Sequence, residues 1–123
     1  MRFRFRTILP TSYPVPTDGP VGLVLDRMGR HPMRPAHLHF MVSAPGYETV
    51  VTHLFVKGDP YLQSDVVFGV KDSLIVDYKR NDSEAEAQKV GLKAPFYSVS
   101  YDFILCPAGK AKQKAARAAS DAV

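Results

Sequence analysis

The chain has 123 residues, 46% of them hydrophobic, a formal net charge of +4 and one cysteine. That length holds one ordinary domain rather than two and supplies enough apolar residues for a packed core. It contains no apolar run of about 18 residues, which excludes a membrane-spanning helix, and the single Cys106 excludes an intrachain disulfide and fits a reducing, cytoplasmic compartment.

The N-terminal MRFRFRTILP is basic but alternating, without the continuous apolar core and cleavage site of a secretory signal. Residues 2–9 predict a strand with Phe3, Phe5 and Thr7 on one face and three arginines on the other. Prolines at 10, 14 and 16, followed by Asp18-Gly19-Pro20, predict an extended, turn-rich loop. Residues 21–28, VGLVLDRM, predict one or two helical turns stopped at Gly29, and RHPMRP returns to loop. AHLHFMVSA (36–44) reads as a strand, Pro45-Gly46 as a turn and YETVVTHLFVKG (47–58) as the antiparallel return.

Residues 59–70 form a long loop with a short strand or turn, and DSLIVDYKR (72–80) is a further strand. Residues 81–95 are an exposed loop or helical excursion. FYSVSYDFILC (96–106) is the final strand, with Tyr97, Val99 and Tyr101 on one face. Cys106, inside the apolar run DFILCP, reads as a small buried residue. Five or six strands joined by Gly/Pro-rich loops predict an all-β domain, an antiparallel sandwich or partial barrel, over residues 1–107. Residues 108–123 carry four basic residues and one acid, which is most of the net charge. Such a tail reads as solvated and disordered. Its alternative is a weak RNA contact, but the near-neutral remainder argues against nucleic acid as a partner.

The densest chemical signal is His37-Leu38-His39. Alternate residues of a strand share a face and lie roughly 6–7 Å apart, so both imidazoles can converge on one metal ion. Leu38 and Phe40 then pack on the other side. Two neutral rings on an apolar strand need partners for all their nitrogens, which is hard to arrange without a metal. The pair alone does not name the ion, because cupins and zinc enzymes share this local geometry. Tyr13 lies between prolines in a stiff loop. Taken alone it is a packing residue, but a highly charged ion such as Fe³⁺ can ionise a phenol and bind the phenolate.

Three blocks, FRFRTILPTSYPVPTDGPVG, RPAHLHFMVSAPGY and GDPYLQSDVVFGVKDSLIVDY, together resemble the catalytic domain of the intradiol ring-cleavage dioxygenases, the family of catechol and hydroxyquinol 1,2-dioxygenases. The likeness runs from about residue 2 to 105. It implies the antiparallel β-sandwich of that family and a non-haem Fe³⁺ held by two tyrosines and two histidines. Tyr13, His37 and His39 match three of those ligands. Arg34 matches an arginine that steadies charge on the substrate, and His53 stands where catechol-cleaving members often have glutamine, which implies a substrate-binding role, the alternative being an ordinary surface or supporting histidine.

The implied reaction opens the ring of an aromatic diol between its two hydroxyl-bearing carbons, with both atoms of O₂ entering the product. The other tyrosine ligand of the family, and the helical segment through which intact relatives form homodimers, lie upstream of the first block. The resemblance therefore implies an N-terminally truncated domain with impaired activity. The alternative is a non-catalytic β-sandwich fragment, or degraded paralogue, that binds no iron.

Overall fold

Gly19 and Pro20 open the first helix. Gly19 is extended at the N-cap and Pro20 occupies the first turn, where its missing N–H costs nothing. In the computed structural model, which describes residues 2–109, α1 runs Pro20–Arg27 and stops at Gly29, whose φ is +61°. This is the helix expected at 21–28. Its buried residue is Leu25. Gly22 lies against the Pro-rich turn so closely that a Cβ would sit 2.0 Å from the Thr17 carbonyl oxygen. The basic tail expected over 108–123 lies outside the described residues from 110 onward.

Two-residue strands flank this helix. β1 (Tyr13–Pro14) and β2 (Met33–Arg34) pair antiparallel, Tyr13 opposite Arg34. The Val15 N–H extends the ladder by donating to the Pro32 carbonyl at 2.9 Å. Pro14 contributes no donor, so the ladder stays short. The expected loops at 10–20 and 30–35 are thus stitched together at one point.

β3 (His37–Val42) and β4 (Val50–Val56) flank the expected turn, where Gly46 has φ +79°. β4 lies between β3 and β5 (Ile75–Val76) in a three-stranded sheet. The β4–β5 pair is parallel, Phe55 opposite Ile75 and Val56 opposite Val76, which corrects the expectation of a wholly antiparallel sheet. A parallel return needs a crossover of about a dozen residues or more, and the excursion 57–74, ending in a 3₁₀ turn over Asp72–Leu74, supplies it. The expected strand 72–80 therefore breaks into that turn, β5 and β6 (Lys79–Asn81). Between β5 and β6, the Tyr78 hydroxyl donates to the Leu54 carbonyl at 3.3 Å.

β6 pairs antiparallel with β7 (Phe96–Ser98). Between them, the expected helical excursion is α2 (Glu84–Lys89), capped by Ser83, whose hydroxyl accepts from the Glu86 N–H. The described residues are β-rich, with two short α-helices among them.

The described residues fall into two units, 2–38 with Leu54–Ser100, and His39–His53 with 101–109. The first holds the buried apolar residues Leu25, Ala36, Leu54, Phe55, Val66 and Ala87. In the second, the Phe40 and Phe103 rings meet at 5.0 Å, as do those of Tyr101 and Phe103. There the Glu48 N–H donates to the Cys106 carbonyl and the Ala108 N–H to that of Gly46.

Three local expectations are corrected. Residues 2–9 form no strand. Alternation sets which side chains share a face, but a strand also needs an adjoining strand in register. Arg6 instead donates to the carbonyls of Val90 and Gly91 just past α2, and the stacked rings of Phe3 and Phe5 stay exposed. The final strand keeps only Phe96–Ser98, and the chain beyond is tied to the Gly46 turn rather than to a ladder. Cys106 is exposed, not buried.

Candidate functional site

The β1–β2 register puts the phenol of Tyr13 beside the guanidinium of Arg34, which follows it by 21 positions. Cross-strand partners on one face touch, so a ladder of four residues is enough. Arg34 Nη1 lies 3.5 Å from the Tyr13 hydroxyl oxygen and donates to His37 Nε2 at 3.3 Å. The other ring nitrogen, Nδ1, donates to the Pro35 carbonyl at 2.7 Å. That partner assigns the proton to Nδ1 and leaves the lone pair on Nε2. The imidazole is further held between Phe55, with ring centroids 5.4 Å apart, and Tyr13, at 5.6 Å.

Pro35 and Ala36, just ahead of it, are buried. The Ala36 N–H donates to Asp59 Oδ2 and its carbonyl accepts from the Val56 N–H. Tyr13, Arg34 and His37 therefore form one cluster in the first unit. His39 belongs to the second, where its ring meets that of His53 edge-on at 4.4 Å. Among the described residues, no group of three or more His, Cys, Asp or Glu side chains is placed to hold a metal ion.

A residue that sequence reasoning did not single out sets the charge of the cluster. Asp65 is 3% exposed, and its Oδ1 accepts from Arg34 Nε at 3.2 Å. Burial pushes its carboxyl up, but hydrogen bonds from Arg34 and from the Gly69 and Val67 N–H groups outweigh this and hold it below the usual carboxylate range. Burial likewise opposes the Arg34 charge, and the contacts with Asp65 and Tyr13 overcome it, so the guanidinium lies above its ordinary value. Both groups are ionised and buried together.

The loop that carries Asp65 is strapped from outside. Arg30 donates to the carbonyls of Asp65 and Val66, and its guanidinium carbon stands 4.1 Å from the centre of the Phe68 ring. The Val66 N–H donates to the Met33 carbonyl. These contacts hold Phe68 at φ +54°, a conformation that costs a non-glycine residue about 1–3 kcal/mol. Gly69 closes the loop, and a Cβ there would crowd Asp65 Oδ2 at 3.2 Å and Arg34 Nη2 at 3.3 Å. Arg34 Nη2 itself is buried without a hydrogen-bond partner among the described residues. The available signal was an acid placed directly before the apolar run VVF, since a buried carboxylate needs a partner. Nothing local points to Arg34, which lies 31 positions away.

A family described as "Dioxygenase" matches residues 1–107. The hydroxyquinol 1,2-dioxygenase of Rhizobium sp. (strain MTP-10005) is 53% identical over 105 residues, covering 85% of this chain and 36% of that protein. Among solved structures, the hydroxyquinol 1,2-dioxygenase from Pseudomonas putida DLL-E4 is 51% identical with a TM-score of 0.72, over 80% of this chain and 35% of that one. The catechol 1,2-dioxygenase from Acinetobacter sp. ADP1 is 34% identical with a TM-score of 0.77, over 81% and 32%. This chain thus spans about a third of the length of the relatives it matches, which are enzymes by name, and no helix among the described residues is long and apolar enough to cross a membrane. With a match over residues 1–107, half the positions shared with hydroxyquinol 1,2-dioxygenases and the same backbone course, the chain belongs to the intradiol ring-cleavage dioxygenase family.

Proposed function

We propose that this chain carries part of a cytoplasmic site for intradiol cleavage of hydroxylated aromatic diols, hydroxyquinol or catechol, by O₂, on the β-sandwich of its family. The observation that carries this reading is the convergence of Tyr13 Oη and His37 Nε2 on one atom, Arg34 Nη1, within 3.5 Å. Two potential metal donors already face a single cation there.

The family implies a non-haem iron, and the donor chemistry fits it. A phenol oxygen and an imidazole nitrogen whose proton is committed to a backbone carbonyl suit a hard to borderline ion. Tyr13 and His37 would hold it. When bound, the iron supplies the redox chemistry that lets a diol react with O₂.

The protein residues supply the rest. The Tyr13 side chain, 43% exposed, is open to an incoming diol, and its phenolate can take a proton from a substrate hydroxyl. Arg34, ionised and anchored on Asp65, balances negative charge on a ring oxygen. Pro35 and Phe55 fix the His37 ring so that Nε2 keeps one direction.

The test is oxygen uptake together with product absorbance for the ferric-loaded protein offered hydroxyquinol and catechol, beside the Tyr13→Phe and Arg34→Gln variants. Uptake of one O₂ per ring opened, lost in both variants, supports the reading. Folded protein that retains iron yet consumes no O₂ with either diol overturns it. Protein that retains no iron favours a non-catalytic fragment.

A further inference from the structure

Arg34 is held in an unusual way. A buried arginine facing a carboxylate most often lies fork to fork, with two parallel hydrogen bonds. Here the contact is single and made through Nε (3.2 Å), because Asp65 Oδ2 is committed to the Gly69 N–H at 2.9 Å. The carboxylate is in turn fixed by its own loop, with Oδ1 also accepting from the Val67 N–H and the loop strapped by Arg30. Both terminal nitrogens of Arg34 are consequently left out of the ion pair. Nη1 turns to the Tyr13 and His37 donor atoms. Nη2 lies against Gly69, at the one residue type that leaves it room, and has no partner among the described residues.

A purely structural arginine would have its buried donors satisfied. This one leaves a donor unmatched while its neighbour is aimed at two reactive side chains. Resting on the ring-cleavage function proposed above, we infer that Asp65 is a positioning residue: its carboxylate anchors Arg34 through Nε so that Nη1 points at the Tyr13–His37 pair, where a diol oxygen binds. Asp65 does not touch the diol and acts only through Arg34. Gly69 belongs to the same device, because a side chain there would press on both members of the pair.

The experiment compares wild type with Asp65→Asn and Gly69→Ala by two readouts. The first is the Arg34 ¹⁵Nε–H signal by NMR, which reports whether the guanidinium is held, whether or not the protein turns over. The second is the affinity of the ferric-loaded protein for a nitro-substituted catechol, followed by its visible absorption and alongside KM and kcat. In wild type the Nε–H exchanges slowly with solvent. In Asp65→Asn that protection is lost, diol affinity falls about tenfold, and KM rises by a similar factor while kcat changes less. Gly69→Ala keeps the carboxylate and shows the same pattern more mildly, so it carries the test if Asp65→Asn fails to fold.

Equal Nε–H protection in wild type and in the folded variants overturns the inference, whatever the activity. So does diol affinity within twofold of wild type in both. If the Nε–H depends on Asp65 but wild type binds no diol, the anchoring stands and it is the ring-cleavage function, with the role given to Arg34 in it, that falls.

Discussion

Phe55 is 0% exposed and stands at the base of the cluster, its ring 5.4 Å from that of His37. A buried aromatic side chain covers roughly 150–250 Å². At about 25 cal/mol per Å², losing most of that area costs about 3 kcal/mol, and the cavity left behind brings Phe55→Ala to about 3–5 kcal/mol. Against a total stability of about 5–15 kcal/mol for a small domain, this single change removes a large share. Urea unfolding followed by far-UV circular dichroism should show the midpoint falling by about 2 M with the slope unchanged. The conservative Phe55→Leu should cost less than about 1.5 kcal/mol, yet it removes the flat face behind the imidazole and should weaken diol binding. A loss below about 1 kcal/mol for Phe55→Ala would refute the placement of this ring at the centre of the first unit.

Other expectations follow from single contacts. Gly22→Ala should destabilise by about 1–3 kcal/mol, because the new methyl must displace the Thr17 backbone; thermal melts check this. Asp65 titrates below its ordinary value when folded, so its stabilising effect is present above about pH 4 and is lost as pH falls through the lower folded value. Acid unfolding of Asp65→Asn should lack that part of the pH dependence. Tyr78 behaves oppositely, since burial pushes its hydroxyl up to about 12. The folded state keeps that proton longer than the unfolded one, so stability should decline as pH rises from about 10 towards about 12. In Tyr78→Phe the decline should be shallower.

Elements bounded by backbone chemistry were legible in the sequence. Gly29 ends α1 and Pro45-Gly46 separates β3 from β4, as expected, whereas the Gly19-Pro20 start of α1 and the Ser83 cap of α2 emerged only in the structure. What failed was pairing. RFRFRT alternates like a strand but forms none, while DSLIVDYKR breaks because β5 pairs in parallel with a strand on the far side of a long excursion. Period-two patterns report which side chains share a face, not which strand lies alongside.

The site divides in the same way. Tyr13, Arg34, His37, His39 and His53 stood out through spacing and family likeness, and the first three meet as one cluster. Asp65, Gly69, Arg30 and the Pro35 carbonyl did not stand out, because their roles arise only when residues 13, 34 and 65 are folded together.

The most direct measurement of the central claim is the visible spectrum of ferric-loaded protein, wild type against Tyr13→Phe, at equal iron content and with folding verified. Tyr13 acting as an iron donor beside His37 predicts a phenolate-to-iron charge-transfer band in wild type that Tyr13→Phe lacks. A band of unchanged intensity in Tyr13→Phe, or iron-replete wild type with no such band, would contradict it.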